Sequence, residues 1–226
     1  MTVCIAALYE NGKGCVLASD QMTTAHFPIG YEFENEEVEK IIKVDLSGNV
    51  CSLTAGDVIF ASEVLNLVKK TVSEQSISSV VVIAELVRAS YQEVRRTHIL
   101  RNEFESRGLT LETYYQNQQR LVGTIVQILD NTLRNYNPNV SLVIAGKGEK
   151  VCQLFTVVNP GEMVCNDVIG YTAVGSGAPH AVYSLIDTGY KKSMPKEKVE
   201  ELVKLAKKRS EVAPGVGGQT RVVSIP

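Results

Sequence analysis

The order of strand and helix signals predicts an α+β sandwich, two antiparallel sheets covered by helical layers. Apolar strand-like runs come in adjacent pairs near both ends of the chain, and helical periodicity is confined to separate blocks between and after them. Strands grouped with strands and helices with helices argue against alternating βαβ units, so an all-parallel doubly wound sheet is not expected.

Thr2 to Leu8 and Cys15 to Ser19 are expected as a hairpin around Glu10-Asn11-Gly12-Lys13-Gly14, because an Asn-Gly step suits a tight turn. Lys40 to Val44 and Val50 to Thr54 make a second pair across Leu46-Ser47-Gly48-Asn49. A helix is expected from near Asp57, since Val58, Ala61, Leu65, Val68 and Val72 recur at three- and four-residue spacing. Another begins at about Ser79 with Val80, Ile83, Ala84, Val87, Tyr91 and Val94 on one face. Arg95 to Thr113 is polar and broken at Gly108, and a third helical stretch runs from about Tyr115 to Asn135. Strand signals return at Val140 to Ala145, Cys152 to Val157 and Tyr171 to Val174, with Asn159-Pro160-Gly161-Glu162 turning between two of them. Closing helices are expected at roughly Ala178 to Tyr190 and Pro195 to Arg209, and a last strand at Thr220 to Ile225. Without an internal repeat or linker, residues 1–226 are expected to form a single domain.

Composition excludes several classes. The 226 residues are 44% hydrophobic and carry 23 basic against 25 acidic side chains, a net charge of −2. No like-charge block points to nucleic acid, and no apolar run approaches the roughly 20 residues that a membrane helix needs. The opening lacks the charged start, apolar stretch and cleavage site of a secretory signal, so a cytoplasmic location is expected. Cys4, Cys15, Cys51, Cys152 and Cys165 are odd in number, form no C-x-x-C pair and lie in apolar segments, which reads as reduced core residues. His26, His98 and His180 are too scattered for a metal site or a Ser-His-Asp triad, and no Gly-rich phosphate loop is present. No cofactor or metal is expected. Met22, Tyr114 and Tyr115 read as core or interface residues.

Thr2 is the most informative residue. Removal of Met1 before a small residue would leave Thr2 with both a hydroxyl and a free amine. The hydroxyl is a feeble nucleophile, whereas an α-amine titrating around 7.7–8.0 can take its proton directly or through one water. Two further positions carry a chemistry of their own. Gly56 ends a strand before a helix, where its N–H can face a developing oxyanion. Ser176, in Gly175-Ser176-Gly177-Ala178-Pro179, combines a tight turn with a helix N-cap. By strand alternation Lys40 and Ile42 share one face and Ile41 and Lys43 the other, so only one lysine can enter a given cleft.

In order, Thr2, Ala18-Ser19-Asp20, Thr24, Lys40-Ile41-Ile42-Lys43-Val44-Asp45, Thr54-Ala55-Gly56-Asp57 and Gly175-Ser176-Gly177 resemble the proteasome β-subunit family, a self-compartmentalising branch of the N-terminal nucleophile (Ntn) hydrolases. The resemblance runs from residue 2 to about 75 and from about 140 to 210, and the Met-Thr-x-Cys opening is similar to the Anbu-type bacterial relatives. It implies a four-layer αββα sandwich with the nucleophile at the start of the first strand, between two antiparallel sheets. It further implies that Thr2 is nucleophile and base, that Lys40 supplies a positive charge beside it, and that Asp20 holds the Lys40 ammonium. Ser176 would bond the threonine amine, Gly56 would face the oxyanion, Thr24 would pair with an extended substrate, and Thr54 would sit at the base of a specificity pocket.

The activity so implied is a threonine-type peptidase working through a Thr2 acyl-enzyme. Its partners would be a peptide or unfolded protein substrate and further copies of the chain in a homo-oligomeric ring or open ring, with any regulatory ATPase unspecified. An acyl transferase, peptide ligase or amidase would use the same residues, and a silent structural subunit would retain Met1. The chain departs from the family pattern in three places. Only Met1 precedes Thr2; Arg209-Ser210-Glu211-Val212-Ala213-Pro214-Gly215-Val216-Gly217-Gly218 stands where the family has Arg-Asp-x-x-Ser-Gly-Gly, so the family's aspartate and second serine have no counterpart assigned; and the segment from about Arg95 to Leu121 is extra, an expected helical arm.

Overall fold

Two sheets packed face to face set every other distance in the protein. The computed structural model describes residues 2–26 and 32–226; the fate of Met1 lies outside the described residues. Strands β1 (Cys4–Tyr9) and β2 (Gly14–Asp20) form the expected hairpin, and its turn, with Glu10 and Asn11 at positive φ, fits an Asn-Gly sequence. A two-stranded ribbon follows, β3 (Thr23–His26) and β4 (Glu32–Asn35). Then come β5 (Ile41–Lys43), β6 (Val50–Gly56), helix α1 (Val58–Gln75) and helix α2 (Val80–Ile99). Helices α3 (Leu111–Asn117) and α4 (Gly123–Asn135) lead to β7 (Val140–Lys147), β8 (Cys152–Val158), β9 (Glu162–Cys165) and β10 (Tyr171–Val174). Helices α5 (Ala178–Asp187) and α6 (Lys196–Ser210) precede β11 (Thr220–Ile225).

The first sheet has the order β10-β1-β2-β11 and the second β5-β6-β7-β8-β9, antiparallel throughout. Alternation along β1 explains its unbroken apolar sequence. Cys4, Ala6 and Leu8 face the second sheet and pack with Leu53, Val143 and Leu154, while Val3, Ile5 and Ala7 face α5 and α6 and meet Ala181, Leu185, Val199 and Val203. A strand covered on both sides has no polar face to show. On the far side, Val50, Leu142, Ile144 and Val157 pack on Phe60, Val64, Val68, Val87 and Tyr91 of α1 and α2. The result is the expected αββα sandwich, with three apolar layers between four structural ones.

Three local readings of the sequence need correction. The acidic stretch from Glu32 contains β4, paired with β3, and neither strand was expected: four-residue strands whose partner is only a short ribbon give no apolar alternation to read. The Asn159–Glu162 turn closes a hairpin onto β9 instead of leading to β10. The third helical stretch is two helices, because Leu121 and Val122 are extended ahead of Gly123. The segment after Arg95 runs on in helical turns to a break at Gly108, as the sequence leads one to expect. Ile99, Phe104, Tyr114 and Leu129 form a separate small core there, and Arg95 points inward to donate from Nε to the Tyr136 carbonyl (3.0 Å) and from Nη2 to the Leu133 carbonyl (3.0 Å). Arg95 thus satisfies carbonyls at the end of α4 that no helical N–H reaches. No helix among the described residues is long and apolar enough to cross a membrane.

Leu53 lies wholly buried between the sheets. Leu53→Ala should lower unfolding free energy by about 2–5 kcal/mol, read as a reduced denaturant midpoint at unchanged slope.

Candidate active site

Thr2 precedes β1, and alternation turns its side chain the same way as Cys4, toward the gap between the sheets. It is 3% exposed, beside Asp20 (0%) and Lys40 (4%). Asp20 is the last residue of β2 and Lys40 immediately precedes β5, so three separate strand ends meet at one point. The register of the first hairpin fixes the encounter. Asp20 N–H donates to the Val3 carbonyl (3.1 Å), and Val3 N–H donates back to Asp20 Oδ1 (2.9 Å).

Asp20 gathers donors on both oxygens. Oδ1 accepts from Thr2 Oγ1 (2.6 Å), Val3 N–H and Lys40 Nζ (2.8 Å), and Oδ2 accepts from Met22 N–H (3.2 Å) and Gly217 N–H (3.1 Å). A carboxylate removed from water needs such a complement to offset its desolvation. Lys40 uses its three protons on Asp20 Oδ1, the Met22 carbonyl (2.5 Å) and Thr2 Oγ1. Lys43 is exposed, so of the two lysines on this strand only Lys40 enters the cleft.

Ser176 meets the backbone of Thr2. Its Oγ accepts from Thr2 N–H (3.2 Å) and also lies 3.4 Å from the Thr2 carbonyl, to which Gly177 N–H donates at 3.1 Å. The capping role expected of Ser176 is not observed: the N-cap of α5 is Gly177, and the serine hydroxyl is turned to Thr2 instead. Gly175 makes this approach possible. At φ +96° it passes so close that a Cβ would sit 2.3 Å from the Thr2 carbonyl oxygen.

A cleft of about 980 Å³ opens over the cluster, lined by Thr2, Lys40, Thr24, Thr54 and Gly56, with Val38, Ile42, Val58 and Leu65 among its apolar walls. Met22, read as core from sequence, also lines it, whereas Tyr114 belongs to the core of the helical arm. Thr24 lies in β3, and β4 is the one strand paired with β3 among the described residues. Gly56 sits at φ +104° where a Cβ would come 1.7 Å from the Asn139 carbonyl oxygen, so a close backbone crossing demands glycine here whatever its chemistry. Asp57 caps α1, its Oδ1 accepting from Ile59 N–H (2.8 Å) and Phe60 N–H (3.1 Å).

Cys4 is a second potential nucleophile nearby. Burial is the largest influence on it and pushes the thiol up to about 12; Lys40 opposes that, Asp20 adds to it, and a bond from Sγ to the Thr54 carbonyl (3.3 Å) opposes it weakly. The thiol stays protonated at neutral pH and offers no thiolate.

The candidate residues Thr2, Asp20, Lys40 and Ser176 are thus brought into direct contact, while Thr24, Thr54 and Gly56 line the space above them. Sequence reasoning missed the Met22 and Gly217 backbones, which bond Asp20, and Asn139, which shapes the Gly56 crossing. Backbone groups carry no residue-type signal, although paired glycines at 217 and 218 hinted at a close approach. No cluster suited to a metal ion occurs among the described residues.

No family model and no curated protein matches the sequence. Among solved structures, the fold is similar to that of an Anbu (Gly-1) mutant from Hyphomicrobium sp. strain MC1, with a TM-score of 0.68 at 15% identity, covering 99% of this chain and 80% of that one. With its two packed antiparallel sheets and flanking helices, the chain shares the αββα fold of that Anbu structure.

Proposed function

We propose that the protein is a threonine-type amide hydrolase acting on peptide bonds, with Thr2 as its nucleophile once Met1 has been removed. The observation that carries this reading is the Thr2 hydroxyl held jointly by the Lys40 ammonium and the Asp20 carboxylate at the bottom of an open cleft. A cation in contact with Oγ1 lowers the cost of its alkoxide-like state, and burial of the pair makes that field strong.

In the proposed reaction Thr2 Oγ1 attacks the substrate carbonyl carbon and its proton passes to the Thr2 α-amine. Ser176 Oγ, already 3.2 Å from that nitrogen, orients it. The tetrahedral oxyanion is directed toward Gly56 N–H. Collapse breaks the C–N bond, the α-ammonium returns its proton to the leaving amine, and an ester on Thr2 remains. Water, deprotonated by the same amine, then releases the acid. Among the described residues β3 has a partner strand on one edge only, which suits an extended peptide added as a strand at Thr24, with Thr54 in the lining of the cleft that would receive a side chain of that peptide. Enclosure of the site in a homo-oligomeric ring or open ring, and residues 1–226 acting as one domain, belong to the same proposal and rest on the likeness of fold. Acyl transfer would follow the same path to the ester and differ only in the amine that accepts the acyl group.

Peptide mapping after treatment with a threonine-directed β-lactone or vinyl sulfone should place an adduct on an N-terminal Thr2, and intact mass should show Met1 absent. Thr2→Ala should take up no adduct; equal labelling of both proteins, or a retained Met1, refutes the assignment. Lys40→Met or Asp20→Asn should slow adduct formation by roughly 10²–10³. Ser176→Ala removes a single hydrogen bond and should cost about tenfold. Alkylation with iodoacetamide at pH 8 should leave Cys4 unmodified in the folded protein.

A further inference from the structure

We propose that Lys207 is a positioning residue for this site, acting through the Gly217 backbone to hold Asp20, and hence Thr2 and Lys40, in register. The inference rests on the function proposed above and concerns a residue far from the cluster in sequence.

Lys207 lies in the last turn of α6 and is fully buried. Its neighbours on the inward face, Val199, Leu202, Val203 and Ala206, are apolar and complete the core against β1 and β2. A cation there is out of keeping with that face. The helix dipole favours positive charge at a C-terminus, but it does not require burial, and Lys208 takes that benefit with its side chain 75% exposed. All three Nζ protons of Lys207 are committed, to Glu211 Oε1 (2.8 Å) and to the carbonyls of Gly217 (2.7 Å) and Gly218 (2.8 Å). Two of the three are backbone oxygens of one irregular loop, between α6 and β11, that has no sheet or helix ladder to fix it.

Gly217 is the link. Its carbonyl accepts from Lys207, and its N–H donates to Asp20 Oδ2 at 3.1 Å. The residue is hemmed in, since a Cβ there would lie 2.6 Å from Met22 Cβ, and the next N–H, of Gly218, donates to Glu36 Oε1 at 3.1 Å. Asp20 Oδ2 has Met22 N–H as its other donor, so the Gly217 bond sets the rotation of the carboxylate that Oδ1 presents to Thr2 and Lys40. A buried lysine kept only for an ion pair with Glu211 would be dispensable, because an apolar replacement of similar volume is commonly neutral or stabilising. A lysine that holds the loop is not.

The test compares Lys207→Met with Lys208→Met, which removes the same charge and another Glu211 partner but no bond to the loop. Inactivation by the β-lactone is resolved into the limiting rate kinact and the half-saturating concentration KI, and crystal structures are determined for wild type and Lys207→Met. Lys207→Met should lower kinact by about tenfold or more with KI changed by less than about twofold, while Lys208→Met stays at the wild-type rate. In its structure the Gly217 nitrogen should have moved out of hydrogen-bond reach of Asp20 Oδ2. An unchanged kinact, or an intact Gly217–Asp20 bond, overturns the proposal. If wild type takes no adduct, it is the peptidase reading that fails, and the Gly217–Asp20 distance still decides the role of Lys207. Should Lys207→Met not fold, Gly217→Ala probes the same link from its other end: the crowding at Met22 should displace the loop and reduce kinact alike, and a wild-type rate would overturn the inference.

Discussion

The buried Asp20 carboxylate is the point on which the arrangement turns. Five donors converge on its two oxygens, from the Thr2 hydroxyl, the Lys40 ammonium and the backbones of Val3, Met22 and Gly217. They come from three stretches of chain, so the charge is compensated only when the first hairpin with the residues that follow it, the approach to β5 and the loop before β11 are all in place. A carboxylate at this depth with fewer partners would be strongly destabilising, which makes folding and assembly of the cluster one event. The same oxygen that accepts from Thr2 also accepts from Lys40. The Thr2 hydroxyl and the Lys40 ammonium are therefore held against each other by a common anion.

The sandwich supplies what a single sheet could not. β1 must be buried on both faces for Val3 and Ile5 to fasten it to α5 and α6 while Thr2 and Cys4 look into the gap between sheets. A slip of one residue between β1 and β2 would exchange those faces and remove Thr2 from the cleft. Reciprocal bonds between Val3 and Asp20, main chain one way and side chain the other, lock the register at the end where it matters. Close backbone crossings do the rest. Gly175 against the Thr2 carbonyl and Gly56 against the Asn139 carbonyl leave no room for a side chain; Gly56 lines the cleft, and Gly175 backs Thr2 from behind it.

Much of this was legible in the amino-acid order, for physical reasons that also explain the gaps. Long helices with apolar positions three and four apart, such as α1 and α2, announce themselves because one face must be buried, and the two hairpins flanking Gly12 and Gly48 are marked by turn residues. Thr2, Asp20, Lys40 and Ser176 could be singled out from their order along the chain, yet nothing in composition or periodicity says that they touch. β3, β4 and β9 escaped notice because each is only four residues long, too short for an alternation to be read. The inward roles of Arg95 and Lys207 gave no signal in the sequence for the opposite reason. Charged side chains suggest solvent, and both are turned inward to bond carbonyls that the helices cannot satisfy or the loop cannot pair.

Why the proposed nucleophile is the hydroxyl of Thr2 and not the thiol of Cys4 follows from depth. The two side chains lie two residues apart on the same face of one strand, and Lys40 and Asp20 act on both. Cys4 is completely enclosed in the inter-sheet core, so loss of hydration outweighs the pull of the ammonium and its proton is retained. Thr2, one step nearer the mouth, touches the ammonium directly and borders the open cleft. An intrinsically better nucleophile is thereby silenced by burial, and a poorer one is favoured by contact with a cation and access to a carbonyl. The selection is made by where the strand ends, since extending β1 inward by two residues would put sulfur in the position that oxygen holds.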